Sequence, residues 1–125
     1  MAIQDLVVKS SELGEAAVEQ ILKPYVRFVD NGEISFDTPF FALKSGDKVS
    51  IALIAKDSWR YIPGKESFAG GMRNEEIEKT TLLPGNTVRP VVKLFRDKLM
   101  ITTEKGVHRP TAKLILVMQK KLQKK

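Results

Sequence analysis

Arg89, Lys93 and Arg96 stand three and four residues apart in the stretch NTVRPVVKLFRDK, and Lys105, His108 and Arg109 follow shortly after. Cationic groups at that spacing share a helix face, and their common chemistry is charge-assisted binding of anionic oxygen atoms. Just ahead of them, Asn86 and Thr87 can meet a phosphate through a side chain or through the exposed backbone N–H groups of a helix start. Other chemistries lack their parts. The absence of cysteine excludes a disulfide framework, a thiol nucleophile, an iron–sulfur cluster and a Cys-based zinc site, and a single histidine excludes multi-His metal motifs. Glu75, Glu76 and Glu78 could form a metal or acid–base cluster, but placement in the first turn of a helix capped by Asn74 explains them better. Gly70-Gly71, Pro63-Gly64 and Pro84-Gly85 read as turns, and none has the G-x-x-x-x-G-K-[ST] form that cradles phosphate. No cofactor, no metal and no enzymatic activity are expected.

The charge is distributed unevenly. The 125 residues carry a net charge of +6, with 42% hydrophobic and 29% charged residues, which suits one soluble domain with an appendage. Residues 1–70 sum to −2 and residues 71–125 to +8. From Gly85 onward only Asp97 and Glu104 oppose eleven bases. The lysines of Lys120 to Lys125, read as a frayed helix end, account for part of that excess but not for Arg89, Lys93, Arg96, Lys98, Lys105 and Arg109. A basic domain of this kind expects an anionic partner. The start MAIQDLVVKSSE lacks a basic region followed by an apolar stretch, so neither a signal peptide nor a membrane span is expected, and the location is cytoplasmic.

The elements that must position these residues follow from periodicity. Ser10 or Ser11 caps a helix running to about Lys23, with Leu13, Ala16, Ala17, Ile21 and Leu22 as its apolar stripe. Asn31-Gly32 between extended runs marks a hairpin with strands near 25–29 and 33–37. TPFFALKSGD is a loop or short turn whose Phe40 and Phe41 pack inward. Ser45 caps a helix over 45–62, apolar around much of its circumference and therefore central to the core. Trp59 within it is core filling rather than a stacking platform. A short helix, 74–80, and the turn LLPGN lead to a helix over 86–99 with Val88, Val91, Val92, Phe95 and Leu99 buried. Pro90 sits in its first turn, where a missing N–H costs nothing. Met100 to Thr103 and Val107 to Arg109 form a second hairpin, and TAKLILVMQKKLQ a last helix with Leu114, Val117, Met118 and Leu122 inward.

This order and the segment LLPGNTVRPVVKLFRDKLMI resemble the turn and recognition helix of prokaryotic winged helix-turn-helix transcription regulators. In that pattern a Gly/Asn/Ser turn precedes Thr/Ser-Val-Arg-Pro, and apolar residues stand four and seven places after the Val. Val88, Val92, Phe95, Met100 and Ile101 fill the apolar places, while Leu99 stands where the pattern usually has Gly. The resemblance covers about residues 45–119. It implies an α+β, mostly helical fold: a winged helix-turn-helix (45–125) behind an N-terminal helix and β-hairpin extension (1–44). It also implies double-stranded DNA as partner, with a recognition helix over about 86–99 and a wing over about 100–110. Asn86, Thr87, Arg89, Pro90, Lys93, Arg96, Lys105, His108 and Arg109 are then the candidate contacts, since the N-terminal part of such a helix reaches base edges in the major groove. Two readings compete at single residues: Arg89 as a surface arginine paired with Glu75 or Glu76, and His108 as a solvated strand residue. The alternative for the whole chain is a winged-helix protein-interaction module within a larger nucleic-acid-processing assembly. A homodimer through the first and last helices (Leu13, Ala17, Ile21; Leu114, Val117, Met118, Leu122) would suit symmetric DNA sites.

Overall fold

The computed structural model describes residues 14–123, with side chains to residue 121; the Ser10 or Ser11 cap, Leu13 and the Leu122 side chain lie outside it. Helix α3, Ser45–Ser58, is the centre of the molecule. Every residue from Val49 to Ala55 is buried, which a helix achieves only with neighbours all round. Those neighbours are α4 (Asn74–Thr81), α5 (Gly85–Asp97), α6 (Ala112–Gln123) and strand β4 (Val107–Pro110). The two buried serines of α3 keep their hydroxyls bonded, because Ser50 donates to the Gly46 carbonyl and Ser58 to that of Ala55, each at 2.8 Å. The helix stops at Ser58 and tightens into a 3-10 turn, Trp59–Tyr61, so it is shorter than the sequence pattern suggests.

Helix α1, residues 14–22, buries Ala17, Val18, Ile21 and Leu22 but leaves Ala16 exposed. Strands β1 (Val26–Phe28) and β2 (Ile34–Phe36) pair antiparallel with Val26 opposite Phe36. Of the turn residues only Gly32 takes a positive φ (94°). Asn31 serves instead by accepting the Glu33 N–H at 3.1 Å. The expected loop after β2 contains a one-turn helix, α2 (Thr38–Phe41), begun by the proline at its second position. Phe40 points inward and stacks on Phe36 with centroids 3.9 Å apart, whereas Phe41 is 47% exposed. Val18, Ile21, Leu22, Tyr25, Val26 and Phe40 join the same hydrophobic cluster as α3, α5 and α6. The amino-terminal extension is therefore fastened to the rest by a shared core. Trp59 is 1% exposed, edge-on to Phe28 and Phe68, and fills space as its sequence context suggests. Its indole N–H has no acceptor among the described residues.

The fold is α+β and mostly helical. Its second hairpin, β3 (Ile101–Glu104) with β4, pairs Ile101 with Pro110 and Glu104 with Val107 around Lys105-Gly106. Both turn residues have positive φ, 53° and 81°, the conformation that matches the twist of a two-residue hairpin. Met72, just ahead of α4, exchanges both backbone hydrogen bonds with His108, at 2.9 and 2.8 Å. The outer edge of β4 is thereby covered, and the start of α4 is tied to the hairpin. Gly71 makes this possible: a Cβ there would collide with the His108 carbonyl oxygen and with the side chains of Val107 and Arg109.

Candidate nucleic-acid interface

Helix α5 is the most clearly two-sided element. Val88, Val92 and Phe95 are buried, and Val91 is half-buried. At about 100° per residue, the opposite face carries Asn86, Arg89, Pro90, Lys93 and Asp97, all exposed. Thr87 sits half-buried at one edge, beside the 49%-exposed Leu94. Arg96 lies exposed at the other edge, towards the hairpin. The helix starts at Gly85, one residue earlier than its sequence suggests, with Pro84 in the cap position and no side-chain cap. Pro90 is consequently the sixth helical residue and not part of the first turn. The N–H it lacks is the one that would have bonded the Asn86 carbonyl, so the expectation that it costs nothing does not hold.

Among the described residues none of Arg89, Lys93, Arg96, Lys105 and Arg109 makes an ion pair. The pairing of Arg89 with Glu75 or Glu76 is not formed. Glu76 bonds Lys56 at 3.6 Å, and Arg89 folds back over Gly85 beside Glu78, both within 3.1 Å of where a Gly85 Cβ would stand. Glu75 and Glu76 do lie in the first turn of α4, where they complement the helix dipole. The cap itself is Arg73 and not Asn74. Arg73 reaches the hairpin tip, its Nη1 2.9 Å from the place of a Gly106 Cβ, next to the exposed Lys105. Sequence places Arg73 only as a base flanking the short helix, and nothing local links it to a turn more than thirty positions later.

Two candidates are placed away from the α5 face. His108 is 4% exposed, which corrects its reading as a solvated strand residue or an accessible contact. Its Nε2 lies 2.8 Å from the Asn74 Oδ1 and its Nδ1 2.8 Å from the Thr103 hydroxyl. An amide oxygen can only accept, so Nε2 carries the proton and Nδ1 accepts from Thr103. The neutral ring satisfies both bonds. Burial, reinforced by the nearby Arg96, holds its pKa below the usual histidine value. The same bond explains why Asn74 does not cap α4. Arg109, one residue on, points to the opposite side of the sheet and lines a cleft with Asp57, Arg60 and Tyr61.

Helix α5 ends at Asp97, and the expected burial of Leu99 is overturned, since Leu99 is 72% exposed at φ 60°. The Met100 N–H bonds the Phe95 carbonyl at 2.8 Å and the Leu99 N–H that of Arg96 at 3.1 Å, which is a Schellman ending. Met100, not Leu99, turns back into the core. Lys113 caps the same end, donating to the Lys98 carbonyl at 2.7 Å.

The terminal helices also differ from expectation as contact surfaces. Ala17, Ile21, Leu114 and Met118 are buried within the chain's own core, and Val117 is half-buried. Ala16 and Leu116 line an apolar groove between α1 and α6, bridged by Gln119 and Gln20 at 3.4 Å. Lys121 is bonded to Asp47 at 3.0 Å and α6 is helical to Gln123, while Lys124 and Lys125 lie outside the described residues. Among the described residues no group of acidic or histidine side chains could hold a metal ion, and no helix is long and apolar enough to cross a membrane. Comparison of the chain with protein families, curated proteins and solved structures finds no match.

Proposed function

We propose that this chain is a double-stranded DNA-binding protein, a small transcription regulator of winged helix-turn-helix type. Helix α5 is its recognition helix and the β3–β4 hairpin its wing. The observation that carries this reading is the outer face of α5, where Arg89, Lys93 and Arg96 are exposed and free of ion pairs among the described residues. Asn86 and Thr87 accompany them at the helix start and Pro90 in the second turn, and Lys105 with Arg73 forms a basic hairpin tip. An α-helix fits the major groove, and cations at its flanks fix it to phosphates. A dimer joined through the outer faces of α1 and α6 around Ala16 and Leu116 would have to hold two α5 helices about 34 Å apart to read one duplex.

A mobility-shift titration against genomic fragments tests the proposal. With about six phosphate contacts the log–log salt slope is roughly −5, and Arg89→Ala weakens binding by about tenfold. Absence of binding at low salt, or binding indifferent to Arg89→Ala and Lys93→Ala together, would reject it. A second reading, an interaction module within a nucleic-acid-processing assembly, is favoured by Leu82 and Leu94, which stand 74% and 49% exposed beside the same face. Under that reading Leu94→Glu abolishes partner capture while Arg89→Ala leaves it intact.

A further inference from the structure

On the far side of the hairpin from His108 lies a cleft of about 590 Å³, bounded by Gly14 of α1, the end of α3 with the 3-10 turn after it, both hairpin strands and the start of α6. Arg60 is held in place twice: its Nε lies 3.5 Å from Asp57 Oδ2, and its Nη2 donates to the Tyr61 hydroxyl at 2.9 Å. That hydroxyl accepts from Arg60, and its own proton has no acceptor among the described residues. Arg109 enters from β4 opposite Thr102, with no ion pair among the described residues. Ala112, the first residue of the twelve-residue helix α6, lines the same space, so the positive end of that helix opens onto it. Against two guanidinium groups, a helix terminus and a free hydroxyl proton stands, among the described residues, a single carboxylate, Asp57. The volume falls in the range of small-molecule sites.

We infer that this cleft binds a small oxyanion, a phosphomonoester or a carboxylate, through Arg60 and Arg109, with the Tyr61 hydroxyl as a third donor. Asp57 holds Arg60 in the orientation that offers its remaining N–H groups to the ligand. The site is independent of the α5 face and does not rest on the DNA reading.

Backbone amide spectra of the full chain, recorded at constant ionic strength, test it with inorganic phosphate, glycerol 3-phosphate and succinate as probes. Saturable shifts at Tyr61, Thr102 and Thr111, with half-saturation at about millimolar probe or below, are expected. The phosphate and succinate arms distinguish the two sources of the anion. Arg109→Gln weakens binding about tenfold and Tyr61→Phe about threefold, whereas Arg89→Ala changes nothing. Arg109 is exposed and unpaired among the described residues, so its variant keeps the fold even if an Arg60 variant does not. Absence of a saturable shift with all three probes, or unchanged affinity in folded Arg109→Gln, overturns the inference. So does displacement of phosphate by duplex DNA, which would make the cleft part of the nucleic-acid surface. Loss of DNA binding with the cleft titration intact would instead sink only the proposed function.

Discussion

His108 and Arg109 are neighbours on one strand, yet they belong to two regions with opposite physical character. The inner face of the β3–β4 hairpin, with Ile101, Thr103 and His108, is closed, and its one titratable group is neutral and bonded on both ring nitrogens. The outer face, with Thr102 and Arg109, is open and charged and borders a cleft. The pleat alone makes this division, because successive side chains on a strand point to opposite sides. A run of cationic residues in sequence is thus not a continuous surface: Arg89 and Lys93 belong to the α5 face and Arg109 to the cleft.

The sharpest way to break the comparison is to disturb the backbone that both faces share. A Cβ at Gly71 meets the His108 carbonyl and the side chains on either side of it. Neither that carbonyl nor the strand can move without opening the Met72 bridge. Gly71→Val is expected to cost about 3 kcal/mol in urea unfolding, at the upper end for overpacking, or to prevent folding. A cost below about 1 kcal/mol would show that β4 is not anchored along this edge.

Protons sharpen the contrast further, since the two faces respond to acid with opposite sign. The His108 pKa is held below 6.5 by burial and by Arg96, so the unfolded chain takes up a proton first as pH falls. Its stabilisation is present above about pH 6.5 and is lost as pH drops below it towards the folded value. Asp57 behaves the other way. Burial raises its carboxyl above 3.8, and Arg60 and Arg109 only partly oppose this. The folded chain then protonates first, and stability is gained as pH falls through the raised value. Urea midpoints measured from pH 7 to pH 4 should decline for the native chain. The decline should flatten in His108→Gln and steepen in Asp57→Asn. A native slope persisting in His108→Gln would place the acid sensitivity elsewhere.

How much of this was legible in the sequence depends on the range of the signal. The elements themselves were readable from local pattern: the stripe of Val88, Val92 and Phe95, the Asn31-Gly32 turn, and the apolar run of α3. Caps were less so. Ser45 and Asn74 have side chains suited to capping, yet Lys44 and Arg73 hold the cap positions without a side-chain bond. In the case of Asn74 the competing partner, His108, is thirty-four residues away, and no local rule finds it. Strand alternation alone does not give the inward direction of His108, because that needs the register pairing it with Thr103, and no local pattern fixes that register. The dimer stripes failed for a related reason. Periodicity identifies an apolar helix face, and it does not say whether that face meets its own core or another chain.

Leu99 tests the junction between the α5 face and the hairpin, and its effect should be the smallest. Its place on the i+11 step of the α5 stripe made it look buried, but the helix closes at Asp97 and the chain turns through Leu99 in the left-handed region. For an L-residue with a Cβ that conformation costs about 1 kcal/mol or somewhat more. Glycine would remove the cost, while the greater freedom it brings to the unfolded chain takes back about 0.5–1 kcal/mol. Little burial is lost, because the Leu99 side chain is 72% exposed. Leu99→Gly should therefore stabilise the chain by about 0.5 kcal/mol, read from the shift in urea midpoint, and leave the His108 and Arg109 faces unchanged. A loss of about 1 kcal/mol or more would mean that Leu99 buries apolar surface in solution. If the gain is seen but duplex affinity drops, the strained leucine is retained for contact with the partner, at the point where α5 hands the chain to the hairpin.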